Sequence, residues 1–167
     1  MLPEPHNADR VILLGEAPGV HETIEGRPFV GPSGVELQRA LNALDIRRDQ
    51  CHITNVIRCR PPKNDLEVLT LRVGRENRKR QKRAREEEGT ATLVERPTDA
   101  CRSLLWEELA QTGITNIICL GKTAAKAIRG GDVSIMSIRG GCEEVFAPWD
   151  SKLKLKVGYT MHPAWVL

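Results

Sequence analysis

The sequence predicts an α/β protein: a single three-layer α/β/α domain around a central, mostly parallel four-stranded sheet. Short apolar runs rich in β-branched residues alternate with stretches in which apolar residues recur at helical spacing. Several of these runs end at loops rich in glycine and proline. The length of 167 residues suits one hydrophobic core. Strands that alternate with helices favour a parallel sheet covered on both faces.

The N-terminal third has the pattern of a first βαβ unit. The apolar run Val11 to Leu14 predicts a buried strand that stops at Gly15, and a loop rich in glycine and proline follows as far as Gly34. Helical spacing of apolar residues predicts a helix over 35–44. The β-branched run from Ile53 to Ile57 predicts the next strand.

A polar segment at residues 63–96 interrupts this rhythm and is interpreted as an insertion that is partly helical and largely exposed. Regular structure resumes with a helix that starts at Pro97 and Thr98, a strand over 114–120 and an alanine-rich helix after Gly121. The last third predicts three further short strands, at residues 134–138, 143–146 and 155–160.

Composition narrows the class of protein. Hydrophobic residues make up 40% of the chain and no apolar run is long enough to span a bilayer, so we expect no membrane role. The N-terminus lacks the pattern of a secretory signal, which predicts a cytoplasmic location and reduced cysteines. The net charge is +3, yet Arg72 to Arg85 alone contains eight basic residues and one acid, Glu76.

Three segments that carry candidate functional residues each follow a predicted strand. The first is Gly15 to Gly34, which contains Glu16, Glu22 and Phe29; the second contains Asn55, and the third contains His162. Each segment alone also fits a structural role: a βα loop with a buried Phe, a turn-capping Asn, or a solvated His. A parallel sheet would bring all three together at one edge, where α/β proteins bind ligands.

The sequence Gly-Lys-Thr at 121–123 invites comparison with a phosphate-binding loop. Such a loop requires a glycine four residues before Gly121, and Ile117 stands there instead. We therefore interpret it as a helix start that is able to contact a phosphate.

Taken together, these motifs resemble family 4 of the uracil-DNA glycosylases, the iron-sulfur branch of that superfamily. The matching segments, in order, are GEAPG, GRPFVGPSG, TNVIRCRPP, LGKTAAKAI and HPA, and the resemblance runs from Val11 to Leu167 apart from the insertion. It implies a monofunctional enzyme of base excision repair that flips uracil out of single- or double-stranded DNA and hydrolyses its N-glycosidic bond. We expect it to act as a monomer.

The resemblance also assigns roles to residues. Phe29 would stack on the base, Asn55 would pair with its edge and Ala17 would lie beside it, where other branches place a catalytic Asp. His162 would stabilise the departing uracil anion, and Glu22, or alternatively Glu16, would orient the attacking water. The residues expected to contact DNA are Pro32, Ser33, Arg60, Lys122 and Trp165.

The sequence departs from the family in its cysteines. Family 4 members hold a [4Fe-4S] cluster with four cysteines, of which only Cys59 and Cys101 have counterparts here. The N-terminal pair is missing, so either the protein is a cluster-free relative or the sequence is trimmed at its start. The other three cysteines fit burial better than ligation.

Two further departures concern the insertion and the last residues. The insertion separates Cys59 from Cys101 by 42 positions, and its basic run fits either phosphate contact or a solvated surface loop. It contains no histidine, so the covalent histidine chemistry of a related branch is not supported. Val166 and Leu167 fit either a wedge that fills the gap left by a flipped base or an ordinary helix start.

Alternative functions remain at this stage. The nearest is excision of a different modified base. A DNA-binding homologue without activity is a second, and a metal-linked protein of a replication assembly is a third. Retention of Glu22, Phe29, Asn55 and His162 together favours the enzyme.

Overall fold

The computed structural model describes residues 11–87 and 89–167. Within these residues the strands are β1 (Val11–Gly15), β2 (Cys51–Asn55), β3 (Asn116–Leu120), β4 (Cys142–Ala147) and β5 (Asp150–Thr160). The helices are α1 (Val20–Glu25), α2 (Pro32–Ala43), α3 (Leu66–Glu86), α4 (Pro97–Ala100), α5 (Arg102–Thr112), α6 (Lys122–Arg129) and α7 (Ile135–Ile138). Short 3-10 turns occupy Arg48–Gln50, Pro62–Asn64 and Pro163–Val166. None of the helices described here combines the length and the apolar character that crossing a membrane requires.

The strands form one sheet in the order β2-β1-β3-β5-β4. Strand β1 pairs in parallel with β2 and β3, and β3 pairs in parallel with β5. Only β4 is antiparallel, as the hairpin partner of β5. The predicted α/β class and mostly parallel sheet are confirmed, but the sheet has five strands where four were predicted, because the hairpin adds an edge strand.

Side chains that alternate along the strands form a hydrophobic core on each face of the sheet. Leu13 of β1 packs with Leu37 and Leu41 of α2 on one face. Its neighbours Ile12 and Leu14 lie in the other cluster, with residues of α5 and α6. The two faces explain why the buried strands lack a simple hydrophobic-polar alternation, and they give the three layers that the sequence predicted.

Some predicted elements differ from those observed. The run 134–138 was predicted as a strand, but Ile135–Ile138 is a short helix. The run Ser-Ile-Met-Ser-Ile is short enough to fit either structure, and it forms a helical turn in which the Arg139 amide donates to the Ile135 carbonyl (2.9 Å). Strand β2 begins at Cys51, two residues before the predicted start, because Cys51 and His52 already pair with β1.

The insertion is more regular than its polarity suggested. Its main element is the 21-residue helix α3, which starts where Asp65 accepts a hydrogen bond from the Val68 amide (2.8 Å). The chain then returns along the helix: the Asn77 side chain donates to the Val94 carbonyl (2.9 Å) and accepts from the Val94 amide (2.8 Å). The expected exposure is confirmed, since Leu66 is the only buried residue of α3 among those described.

The four parallel strands end level with one another. Gly15 lies opposite Asn55, and Leu120 lies opposite Thr160. The loops that follow these strands therefore meet at one edge of the sheet, which is where an open α/β sheet places its ligand crevice.

Candidate functional site

A cavity of about 420 Å³ opens at this edge of the sheet. Its walls come from the loops after β1, β2, β3 and β5, so residues far apart in sequence share one space. The cavity is lined by Glu16, Ala17, Pro18, Gly19, Glu22, Phe29, Ser33, Asn55, Pro61, Asn64, Leu120, Gly121, Lys122, Ile135, Met161, His162, Ala164 and Trp165.

Phe29 is held in a strained backbone conformation, with φ 52°. The Arg48 guanidinium donates to the carbonyls of Pro28 (2.6 Å) and Phe29 (3.2 Å), which fixes this turn from outside. A Cβ on Gly34 would overlap the Phe29 carbonyl, so a glycine is required where α2 passes the turn. Phe29 is thus fixed by its surroundings, and no sequence motif indicates that Arg48 takes part.

Asn55 is 2% exposed, and its carbonyl oxygen Oδ1 has no hydrogen-bond partner among the described residues. An unsatisfied buried polar atom costs about 1–3 kcal/mol, so such an atom in a cavity wall favours binding of a ligand that donates a hydrogen bond. Gly15 lies opposite in the sheet, and a Cβ there would lie 2.5 Å from Phe29 Cζ and closer still to Asn55 Oδ1. The missing side chain of Gly15 therefore keeps open the space between the aromatic ring and the amide.

Glu22 binds the loop around it. Its Oε2 accepts from the Gly19 amide (3.0 Å), and its Oε1 accepts from the amides of Val30 (2.9 Å) and Gly31 (2.7 Å). Burial acts to raise the pKa of Glu22, but these backbone hydrogen bonds outweigh it and hold the pKa below its ordinary value. The side chain is therefore a fixed negative charge that also orders the segment carrying Phe29.

Glu16 has fewer partners. Its Oε2 accepts a hydrogen bond from the Thr123 hydroxyl at the start of α6 (2.5 Å), and the residue is half-buried at the cavity wall. Lys122, next to Thr123, lies at the same wall with its ammonium 3.9 Å from Asp132. Sequence reasoning missed Thr123 as a partner of Glu16, because 107 positions separate the two residues.

His162 presents one nitrogen to the backbone. Its Nδ1 accepts from the Ala164 amide (3.2 Å), so in the neutral ring the proton resides on Nε2. Burial lowers the pKa of His162, and the charges of Glu16 and Glu22 oppose that shift only in part. Its ring lies 5.6 Å from that of Phe29, centroid to centroid. Gly121, with φ 93°, lies against the His162 backbone, where a Cβ would come within 3.1 Å of His162 Cβ.

A buried polar network supports the strand that carries Asn55. Glu108 of α5 accepts from His52 Nε2 (2.8 Å) and pairs with Arg58, and Arg58 also donates to the Thr54 hydroxyl (2.7 Å). Burial acts to raise the pKa of Glu108, but the His52 hydrogen bond and the Arg58 charge outweigh it and lower the pKa. The network anchors β2 and the loop after it to helix α5.

The predicted site residues mostly meet at the cavity. Nine of them line it: Glu16, Ala17, Glu22, Phe29, Ser33, Asn55, Lys122, His162 and Trp165. Pro32 and Arg60 do not: Pro32 is the exposed first residue of α2, and Arg60 is exposed and donates to the Asn64 side chain (2.5 Å). Sequence reasoning did not single out Asn64, although it follows the Pro-Pro turn and has a positive φ of 57°.

The cysteines do not provide a four-thiolate site. Cys59 is exposed and Cys101 is half-buried at the N-terminus of α5. Cys51 and Cys119 are buried in the cores on opposite faces of the sheet, and burial raises the pKa of Cys119 to about 12. Cys142 lies on β4, at the opposite edge from β2, and no cysteine precedes Cys51. Within residues 11–87 and 89–167, no group of three or more His, Cys, Asp or Glu is placed to hold a metal ion.

The fold and cavity define a class of protein: an open α/β sheet with a polar and aromatic pocket that opens at the ends of its parallel strands. A family model described as the uracil DNA glycosylase superfamily matches residues 4–167. The chain therefore belongs to the uracil DNA glycosylase superfamily.

Two relatives extend this result. The chain is similar to the type-4 uracil-DNA glycosylase of Archaeoglobus fulgidus, with 32% identity over 94% of this chain and 66% of that protein. It is also similar to the type-4 uracil-DNA glycosylase of Thermotoga maritima, with 35% identity over 95% of this chain and 66% of that protein. The chain thus spans about two thirds of the length of these relatives.

Proposed function

We propose that the protein is a monofunctional uracil-DNA glycosylase that acts on uracil in DNA during base excision repair. The observation that carries the proposal is the buried, unsatisfied carbonyl of Asn55 facing Phe29 across the space that Gly15 leaves open. An aromatic face and an amide edge together suit a flat ring with alternating polar groups. Membership of the superfamily and the names of the relatives support uracil as that ring.

The target nucleotide has to leave the duplex, because the glycosidic bond is inaccessible within the base stack. In the proposed complex, the flipped base stacks on Phe29, with Ala17 beside it. Trp165 is 70% exposed at the cavity and, with Ser33 and Lys122, provides the groups that contact the strand on either side. Val166 and Leu167, both exposed, are placed next to Trp165 to fill the gap in the stack.

Asn55 supplies base selectivity. Its carbonyl accepts the imide N–H of uracil and its amide N–H donates to a ring carbonyl. Uracil thus satisfies the carbonyl oxygen, which has no partner among residues 11–87 and 89–167. Cytosine presents an acceptor and a donor in the reverse positions, so it would leave two polar groups unpaired. Such mismatches in a buried site reject the wrong substrate strongly.

Cleavage builds negative charge on uracil and positive charge on the sugar. His162, neutral because burial lowers its pKa, donates from Nε2 to the departing base. Glu22 and Glu16 stabilise the cationic sugar by their charge. Proton transfer to the base is not required at this step, since the hydrogen bond from His162 stabilises the uracil anion.

Glu16 and Glu22 have different roles in the proposed reaction. Glu22 already accepts three backbone hydrogen bonds and has a lowered pKa, so we assign it as a positioning residue and a fixed charge. Glu16 uses one oxygen for Thr123 and keeps capacity at the other to orient the attacking water. This reverses the preference for Glu22 that the sequence favoured.

The test is release of free uracil from a single-stranded oligonucleotide with one deoxyuridine. We expect release by the intact chain and a loss of at least about 100-fold in Asn55→Ala and His162→Ala, consistent with removal of a transition-state hydrogen bond. The exposed Asn42 of α2 provides a matched control, and Asn42→Ala should leave the rate unchanged. No borohydride-trapped adduct should form, because hydrolysis proceeds without a lysine Schiff base. Release of another modified base, or DNA binding without any release, would reject uracil excision.

A further inference from the structure

Helix α3 has a strongly basic outward side. Its residues recur at intervals of three and four, which places them on one side of the helix, and all are exposed. We define the basic face as Arg72, Arg75, Arg78, Lys79, Lys82 and Arg83. The opposite side carries Leu66, Val73 and Asn77, which are buried or half-buried.

The charges of the basic face are only partly neutralised within the chain. Lys82 pairs with Glu86 (3.8 Å) and Arg83 with Glu87 (2.8 Å). Arg72, Arg75, Arg78 and Lys79 form no ion pair with any residue in the ranges 11–87 and 89–167. Like charges three and four positions apart destabilise a helix, and a polyanion in contact with them would reverse that effect.

The helix is nevertheless held in place. Asn77 is hydrogen-bonded in both directions to the backbone of Val94, and Arg80 donates to the Thr92 carbonyl (3.1 Å) while pairing with Glu76 (3.0 Å). These contacts use residues beside or opposite the basic face. The basic face therefore has a defined orientation towards solvent.

The helix starts at the wall of the cavity. Asn64 lines the cavity, and Asp65 immediately after it forms the N-cap of α3. At a rise of about 1.5 Å per residue, Lys79 lies about 20 Å along the helix from Leu66. That distance corresponds to about six base pairs of duplex at about 3.4 Å each.

We propose that the basic face of α3 binds the phosphate backbone of duplex DNA, several base pairs from the nucleotide that enters the cavity. The inference rests on the proposed function for the identity of the DNA substrate. A backbone contact is favoured over base contacts, because no aromatic residue lies between Arg72 and Arg85 and single-strand binding surfaces depend on aromatic stacking. Such a contact is independent of sequence and sensitive to salt.

The test compares two double variants by fluorescence anisotropy on a uracil-free duplex of about 30 base pairs, over a series of salt concentrations. Arg75→Gln with Lys79→Gln removes two charges from the basic face while keeping good helix formers. Lys152→Gln with Lys156→Gln removes the same charge from exposed positions of β5, also four residues apart. Circular dichroism checks that both variants keep the fold.

For the α3 variant we expect several-fold weaker binding and a slope of log K against log salt that is smaller by up to about 1.8, since each phosphate contact contributes about 0.9. The β5 variant should match the wild type. Equal slopes for both variants on the long duplex would overturn the proposal.

The outcome separates this proposal from the proposed function, because binding to uracil-free DNA requires no base release. A reduced slope in the α3 variant supports the basic face even if the wild type releases no uracil. Release of uracil with unchanged slopes supports the enzyme and overturns the basic face.

Discussion

Substitution of Gly15 by alanine tests the geometry of the cavity directly. The new Cβ would lie 2.5 Å from Phe29 Cζ and even closer to Asn55 Oδ1. Carbon atoms in ordinary contact are about 3.5–4.0 Å apart, so the ring and the amide would each have to move by about 1 Å.

A displacement of this size has a predictable effect on the reaction rate. Misplacing a reacting group by about 1 Å costs about 100-fold in rate, which corresponds to about 2.7 kcal/mol of transition-state stabilisation. Overpacking should also lower the unfolding free energy by about 1–3 kcal/mol, because strand β1 is an interior strand of the sheet with neighbours on both sides. We therefore expect kcat/KM for uracil release to fall at least about 100-fold in Gly15→Ala, with the protein still folded.

The assay is single-turnover uracil release, with urea unfolding measured on the same preparations. Gly74→Ala is the matched control, because a Cβ at Gly74, within α3, meets no atom within 4 Å. That variant should keep full activity and gain up to about 1 kcal/mol of helix stability. If Gly15→Ala retained activity within about tenfold of the wild type while Gly74→Ala behaved as expected, the cavity would not be the reacting site.

Three further predictions follow from the charges and thiols. In an NMR titration, His162 should show a pKa below the ordinary histidine value of 6.5, because its side chain is buried. Glu16→Gln should lower this pKa further, because the Glu16 charge acts to raise it. Glu108→Gln should lower the unfolding free energy by about 3 kcal/mol at neutral pH, as expected for a buried network that loses one partner. The folded-state pKa of Glu108 lies below the ordinary value of 4.5, so the stability difference should be fully present above pH 4.5. It should shrink as the pH falls through the folded-state pKa of Glu108, and urea unfolding at several pH values would measure this. The double variant Cys59→Ala with Cys101→Ala should release uracil at the wild-type rate. The wild-type protein should show neither stoichiometric iron nor a visible cluster absorption band. A wild-type protein that bound a full cluster would contradict this prediction.

The sequence identified most of the cavity because its motifs follow strands. Parallel strands end at the same edge, so Glu16, Asn55 and His162 were expected to meet before any coordinates were known, and they do. Arg48 and Thr123 were not found in this way. They act on Phe29 and Glu16 from other elements of the fold. Arg48 lies in none of the matching segments, and the segment LGKTAAKAI contains Thr123 without indicating Glu16 as its partner.

Local patterns also failed where two structures satisfy the same spacing. The short run at 134–138 suits a strand or a helical turn, and its spacing alone does not select the helix that the structure has at Ile135–Ile138. The run 143–146 was predicted as a strand and is part of β4, but its antiparallel pairing with β5 depends on the hairpin register.

The sequence by itself determined the α/β class, the positions of the four parallel strands along the chain, and the identity of the residues at the strand ends, because hydrophobic periodicity and turn residues act locally. Only the tertiary structure decided how those residues are used. It showed that Glu22 is engaged by three backbone amides, that Asn55 has an unsatisfied carbonyl, and that the cysteines are dispersed over both faces and opposite edges of the sheet. Hydrogen-bond satisfaction and burial depend on groups brought together from distant positions, so they are properties of the folded arrangement rather than of any single segment.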